Sequence, residues 1–230
     1  MEKKYKLTEE TINVNGRTLY RIEALKDFND VKKGDKGGFI GNEKNLSQSD
    51  DCWVYGNAMV YGNAMVYGDA VVYDKAEVYG NAKICDNAVV FDSAQVYGDA
   101  VVYGYTMVFG NARVYGNAKI CGDAMVYGNA EVYDKAIVCG DAMVYGNAEV
   151  YDKAIVCGDA MVYDYAEVYG SAEVFSKAKV SDNAEVYDDA KVFEDARIYG
   201  NAKICGDAKV YGKAEFSDNT IVHGDAVVCG

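Results

Sequence analysis

The sequence contains no proline, although the chain is 230 residues long. Proline has no backbone N–H to donate, and it is therefore kept out of the interior of hydrogen-bonded sheets. Its absence indicates that nearly every backbone N–H of this chain is needed in a hydrogen-bond ladder. The chain is instead rich in glycine (24 residues) and tyrosine (21 residues), a composition typical of short strands joined by tight turns.

Basic residues are also scarce, because 23 Lys and Arg stand against 36 Asp and Glu and leave a net charge of −13. An acidic surface repels a phosphate backbone, so nucleic acid is not expected as a partner. No run of about 18 apolar residues occurs, and the N-terminal sequence MEKKYKLTEE has no apolar signal region. Neither a membrane span nor export is predicted, and we expect a cytoplasmic protein.

An internal repeat dominates the rest of the chain. Residues 127–162 consist of the eighteen-residue sequence YGNAEVYDKAIVCGDAMV, which occurs twice in succession without a change. Within it valine recurs every six residues, and alanine stands two residues before each valine. From Val54 to Val228 an aliphatic residue recurs at this six-residue spacing without insertion or deletion, and Phe216 is the single departure. The repeating hexad reads A-x-V-Y-G-N.

The hexad predicts a coil of short strands. Side chains alternate along a strand, so Ala and Val share one face and x and Tyr share the other. We expect Ala and Val to point inward, with the corner at Gly-Asn and its second residue, Asn or Asp, in the left-handed conformation. Three strands for each eighteen residues predict an all-β fold, a single-stranded left-handed parallel β-helix of about ten coils.

Two alternative coil architectures would also bury a face of alternating Ala and Val. A coil of two strands and twelve residues disagrees with the eighteen-residue duplication, because duplication usually copies whole structural units. An irregular right-handed coil disagrees with the strict six-residue count.

Residues 1–50 lack the six-residue period, and we assign them to an N-terminal capping segment, with the β-helix over residues 51–230. Asn15-Gly16 lies between two alternating stretches and predicts a β-hairpin. Phe39-Ile40 leads into the first coil. The cap covers strand edges at that end. The coil that contains Val227-Val228 has no such cover, so we expect C-terminal ends to pair with one another.

Residues eighteen apart stack into columns, which sorts the outward residues into three faces. The first face is free of charge over six coils. Its residues are Val71, Tyr73, Val89, Phe91, Met107, Phe109, Met125, Tyr127, Met143, Tyr145, Met161 and Tyr163. A long apolar strip on a surface usually marks an interface. We predict that it packs against other copies of the chain in a homo-oligomer, a trimer, although the side chains could also simply stack on one another along a lone rod.

The second and third faces carry other columns. The second has tyrosine beside mostly charged residues, and we expect it to face solvent. The third carries a column of Cys121, Cys139 and Cys157. Stacked thiols could form a disulfide or bind a soft metal, but the seven cysteines form no CxxC pair. We expect free thiols and no metal site. A corner column of Asp123, Asp141 and Asp159 could hold a cation, and we assign it to corner formation instead.

The hexads resemble the hexapeptide-repeat family of left-handed β-helix proteins, whose best-known members are acyltransferases that use acetyl- or acyl-CoA. The resemblance implies a histidine acting as general base, and His223 is the only histidine of this chain. It also implies a loop extruded from one coil and a C-terminal segment that completes the site, and we expect neither in this chain. No catalytic residue is assigned beyond His223 as a candidate, and acetyl-CoA is expected only for an acyltransferase.

A closer resemblance covers the whole chain. The segment KYKLTEETINVNGRTLYRIEALKDF, followed by GDKGGFIGNEKNLSQ and CWVYGNA, resembles the opening of the YdcK-like hexapeptide-repeat proteins of bacteria and phages. The resemblance implies the β-helix fold and a bacterial or phage setting. It brings no catalytic residue.

Three functions are compatible with the sequence. The leading hypothesis is a non-enzymatic structural or interaction protein that self-associates through the first face and its C-terminal end. The alternatives are a CoA-dependent acyltransferase and an oligomer that binds a small molecule in clefts between subunits. The exact duplication favours the first, because a binding surface gains by length and a catalytic site does not.

Overall fold

A computed structural model describes residues 3–230, and its N-terminal part is a small antiparallel sheet. Strands β1 (Tyr5–Val14) and β2 (Arg17–Ala24) form the predicted hairpin, in which Asn15 and Gly16 have positive φ values of 51° and 77°. Strand β3 (Lys36–Ile40) pairs antiparallel with β2 and in parallel with β5 (Met59–Val60). The capping segment is therefore hydrogen-bonded to the first coil. A short 3-10 helix spans Glu43–Asn45.

Thirty strands of two or three residues follow, and every third strand belongs to the same face. On the first face they are β4 (Trp53–Val54), β7 (Val71–Val72), β10 (Val89–Val90), β13 (Met107–Val108), β16 (Met125–Val126), β19 (Met143–Val144), β22 (Met161–Val162), β25 (Lys179–Val180), β28 (Arg197–Ile198) and β31 (Glu215–Phe216). On the second face β5 is followed by β8 (Glu77–Val78), β11 (Gln95–Val96), β14 (Arg113–Val114), β17 (Glu131–Val132), β20 (Glu149–Val150), β23 (Glu167–Val168), β26 (Glu185–Val186), β29 (Lys203–Ile204) and β32 (Ile221–Val222). The third face contains β6 (Met65–Val66), β9 (Lys83–Ile84), β12 (Val101–Val102), β15 (Lys119–Ile120), β18 (Ile137–Val138), β21 (Ile155–Val156), β24 (Glu173–Val174), β27 (Lys191–Val192), β30 (Lys209–Tyr211) and β33 (Val227–Cys229).

Each strand pairs in parallel with the strand one coil away, in a register of eighteen residues. Met125 lies opposite Met143, and Val126 lies opposite Val144. The predicted all-β solenoid of stacked eighteen-residue coils is therefore confirmed. Ten strands on each face make ten coils, and the turn that begins at β3 adds about one more. No helix among residues 3–230 is long and apolar enough to cross a lipid bilayer.

The core is a continuous column of small aliphatic side chains. Every inward position from Ala58 to Val210 is buried, as predicted from the hexad. Burial of a valine side chain stabilises a fold by about 1.5–3 kcal/mol, so no single large residue is needed. The exception lies beneath the cap, where Trp53 is 1% exposed and packs edge-on against Tyr5 and Phe28.

The cap also buries a charge. Lys4 is 1% exposed, and its Nζ donates hydrogen bonds to the carbonyl oxygens of Asp50 and Cys52. Burial lowers the pKa of Lys4. Nothing in the six-residue pattern signals this lysine, because it lies outside the repeat.

The corners differ from the prediction in which residue bends the chain. Positive φ occurs at the first corner residue, as at Gly128 (74°) and Asp134 (56°). The prediction that placed it at the second residue was wrong. The N–H of Asn129 donates to the carbonyl of Gly146 at 2.7 Å. This bond holds the second residue in the ladder between coils, so the bend falls on the residue before it.

Gly128→Ala is expected to lower the free energy of unfolding more than Gly16→Ala. Gly128 and Gly16 have φ values of 74° and 77°, so alanine at either position bears the same left-handed backbone cost of about 1–2 kcal/mol. A Cβ at residue 128 would also lie 3.0 Å from both N and O of Gly146, whereas nothing lies within 4 Å of a Cβ at residue 16. Urea denaturation followed by circular dichroism measures both losses. We expect a difference of about 1 kcal/mol or more, and equal losses would contradict the close stacking of corners.

Candidate functional site

The first face carries an uninterrupted stack of six aromatic rings. Consecutive rings are separated by 4.7–5.0 Å between centroids, and their planes are tilted by 3–6°. The rings belong to Tyr73, Phe91, Phe109, Tyr127, Tyr145 and Tyr163. Aromatic pairs of this kind contribute about 0.5–1.5 kcal/mol each beyond the area that they bury. The stack therefore stiffens the face as well as covering it.

A second column, of Val71, Val89 and the four methionines of strands β13, β16, β19 and β22, runs beside the rings. All twelve side chains predicted for the interface lie on this one sheet, and each is half-buried. Their partial burial comes from contacts with their own column neighbours in adjacent coils. We call these two columns, residues 71–163 of the first face, the apolar strip.

Polar corners border the apolar strip on both sides. On one side Asn111, Asn129 and Asn147 form a ladder in which each side-chain amide donates to the next at 3.1 and 3.0 Å. On the other side lies the predicted column of Asp123, Asp141 and Asp159, which is exposed. An apolar centre with a polar border is the usual composition of a protein interface.

The second face forms a hydrogen-bonded network that the sequence interpretation missed. The hydroxyl of Tyr133 donates to the Glu149 carboxylate of the next coil at 2.9 Å. The same bond recurs in four other coils, from Tyr61, Tyr115, Tyr151 and Tyr169. The sixteen-residue spacing from Tyr to Glu could have indicated it, because that spacing places the carboxylate one coil on and two residues back. The eight tyrosines of this face stack at 4.8–5.2 Å.

Four successive glutamates of the second face, from Glu131 to Glu185, stack on one another, which places like charges side by side. Their column is bounded by cations at both ends, since Arg113 lies 3.1 Å from Glu131 and Lys203 lies 2.7 Å from Glu185. Burial and the neighbouring Glu149 carboxylate raise the pKa of Tyr133. The phenols therefore stay neutral and donate, which offsets the repulsion within the column.

The cysteine column of the third face consists of free thiols. Burial and the adjacent thiols of Cys157 and Cys121 raise the pKa of Cys139 to about 12. A thiol is nucleophilic and binds metals as the thiolate, so this environment favours the unreactive form. Within residues 3–230 no cluster of three or more His, Cys, Asp or Glu side chains is arranged to hold a metal ion.

His223 lies apart from the apolar strip. It follows β32 on the second face, in the column that contains Tyr187 and Cys205, and its side chain is exposed. It forms no hydrogen bond or ion pair with another side chain in the described part of the chain.

The tyrosines of the second face are expected to ionise only at strongly alkaline pH. A tyrosine in an unfolded chain has a pKa of about 10, and burial with the adjacent glutamates raises the pKa of Tyr115, Tyr133 and Tyr151 above this value. Their neutral form stabilises the fold fully below about pH 10, and this contribution is lost as the pH rises through the folded-state pKa values. Ultraviolet titration of tyrosinate measures the effect, and the urea-unfolded chain is the reference. Glu149→Gln should lower the pKa of Tyr133. Titration of the folded protein at the unfolded value would contradict the network.

The repeat of this chain is similar to a known protein family. A family model described as "YdcK Beta solenoid repeat" matches residues 60–74, 94–108 and 118–134. No curated protein matches the chain. The three matched segments lie within the parallel solenoid, and each contains inward valines and a corner. The family-model match and the stacked coils together support a YdcK-like β-solenoid repeat protein.

Proposed function

We propose that the chain is a structural protein whose rods assemble with one another through the apolar strip. The observation that carries this proposal is the absence of charge over six coils of an outward sheet, in a chain with a net charge of −13. Two acidic rods repel each other over most of their surfaces. The apolar strip lets two copies approach without bringing carboxylates together.

The other two faces suit assembly less well. Five of the eight tyrosine hydroxyls of the second face already donate to glutamates within the chain. The third face has an uncharged stretch at Ile137 and Ile155 but carries Lys119 before it and Glu173 after it. Only the apolar strip remains uncharged for six coils. Met and aromatic side chains, which compose most of it, are enriched in interfaces.

The borders of the apolar strip favour parallel rods around a rotation axis. In such an arrangement the exposed column of Asp123, Asp141 and Asp159 lies beside the asparagine ladder of the next copy. An antiparallel pair would instead place each aspartate column against its counterpart. Closed cyclic assemblies are the usual form of soluble homo-oligomers, and we propose a trimer. The free cysteines support a reducing, cytoplasmic compartment.

The triple variant Met125→Glu, Met143→Glu and Met161→Glu is expected to dissociate the assembly. The three new carboxylates of each copy would face and repel those of the neighbouring copies. The apolar contacts of the three methionines would also be lost. Light scattering after size exclusion should give about 75 kDa, three copies of 25.0 kDa, for the wild-type chain and 25.0 kDa for the variant.

The matched control adds three carboxylates to a different face of the same coils, as Lys119→Glu, Ile137→Glu and Ile155→Glu. This control should keep the mass of the wild-type protein. A monomeric wild-type chain, or an unchanged mass for the methionine variant, would contradict the proposed interface. A dimeric wild-type chain would contradict the trimer and leave the strip as its contact.

A further inference from the structure

The aromatic stack of the first face is broken at one position. Ser181 occupies the ring column one coil after Tyr163, and Tyr199 occupies it one coil later. Tyr163 stacks on Tyr145 at 5.0 Å, and no other ring of the described residues stacks on it. Among residues 3–230 no ring stacks on Tyr199, which is 36% exposed. The column thus lacks a single ring between two tyrosines.

The missing ring leaves a cleft of about 400 Å³. Ser181 forms its floor and is 7% exposed, while Tyr163 and Tyr199 lie on either side. These two tyrosines are two coils apart, roughly 9.6 Å at the usual strand spacing. The stack advances 4.7–5.0 Å for each ring, so the space between them takes one additional planar ring.

Two breaks on the third face are occupied by cysteine. The neighbouring thiol of Cys85 raises the pKa of Tyr67 to about 12, and that of Cys121 raises the pKa of Tyr103 to about 12. The break on the first face is occupied by the smaller side chain of Ser181, to which Tyr163 forms no hydrogen bond.

Charged groups of opposite sign line two edges of the cleft. Lys179 and Arg197 come from neighbouring strands on one edge, which Glu215 of the next strand also lines, and Asp164 and Asp182 lie at the corner on the other edge. Lys179 has no ion-pair partner within the described residues. Arg197 is 3.6 Å from Glu215, but both side chains are more than half exposed, and such a pair contributes little. Both cations are therefore available to a ligand.

We propose that the cleft over Ser181 binds a small planar aromatic molecule with an acidic group on one edge and an N–H or O–H donor on the opposite edge. The ring stacks between Tyr163 and Tyr199 and completes the column. The acidic group pairs with Lys179 and Arg197, and the donor bonds to the carboxylate of Asp164 or Asp182. This site lies within one chain and requires no assembly.

The probe is 4-aminobenzoate, whose ring, carboxylate and opposite amine match these three features. Saturation-transfer NMR and calorimetric titration should detect its binding to the wild-type chain. Benzoate lacks the donor, aniline lacks the acid, and cyclohexanecarboxylate lacks the planar ring. We expect each to bind several-fold more weakly, with the largest loss, about tenfold, for cyclohexanecarboxylate, because a saturated ring cannot stack between the two tyrosines.

The decisive variant is Ser181→Tyr, which fills the gap with a ring that continues the stack and so keeps the fold. It should abolish binding of 4-aminobenzoate. Ser217→Tyr adds the same ring on the far side of Tyr199, outside the cleft, and should leave binding intact. Arg197→Gln should weaken binding of 4-aminobenzoate about fivefold or more and leave aniline unchanged. Circular dichroism confirms folding of each variant. Absence of binding to the wild-type chain, or undiminished binding to Ser181→Tyr, would overturn the proposal.

Discussion

The hydrogen-bond ladder between coils is the constraint on which the structure depends. Backbone N–H groups donate to carbonyls seventeen residues further on, as the N–H of Met125 donates to Ala142 and that of Tyr127 donates to Val144. Each residue is thereby stacked on its equivalent in the next coil at a fixed separation. The fold is quasi-one-dimensional, because a coil contacts only its two neighbours and the cap contacts only the first. The neighbours of each side chain are therefore fixed by the register. The stability of a column depends on whether side chains of that type interact favourably with one another.

Self-stacking is favourable for some side chains and costly for others. Aromatic rings and side-chain amides stabilise such ladders, which accounts for the ring columns and for the chain of amides from Asn111 to Asn147. Carboxylates in a column repel one another. Here the glutamates accept hydrogen bonds from tyrosines, and Arg113 and Lys203 bound the column. Corner aspartates are held in another way, since the carboxylate of Asp152 accepts the N–H of Gly170 at 3.1 Å.

Most of the solenoid could be predicted from the sequence because the length of the sequence repeat, eighteen residues, is also the register in which neighbouring strands pair. The spacing of Ala142 and Val144 determined both the inward face and the pairing. The bend at Gly128 could not be assigned from residue preference alone, because Gly, Asn and Asp all tolerate positive φ. Lys4 lies outside the repeat, and its burial follows from how the cap folds over the first coil. The cleft above Ser181 was visible in the sequence only as the end of a strip, since its size depends on where the flanking rings lie.

Departures from a repeat are informative when the repeat already satisfies the fold. A residue of the same type as its column neighbours is explained by the stabilisation that stacking gives. A residue of a different type loses that stabilisation. Thr106 replaces an inward alanine, and its hydroxyl is buried without a hydrogen-bond partner. The structure offers no stabilising reason for it. Ser181 likewise gives up two ring contacts, worth about 0.5–1.5 kcal/mol each, and exposes the ring faces of Tyr163 and Tyr199. Lys179 and Arg197 appear in the same coils, where methionine had filled four coils before them. Several columns thus change together at one place on the first face, which is the pattern expected of a localised site and not of a single tolerated substitution.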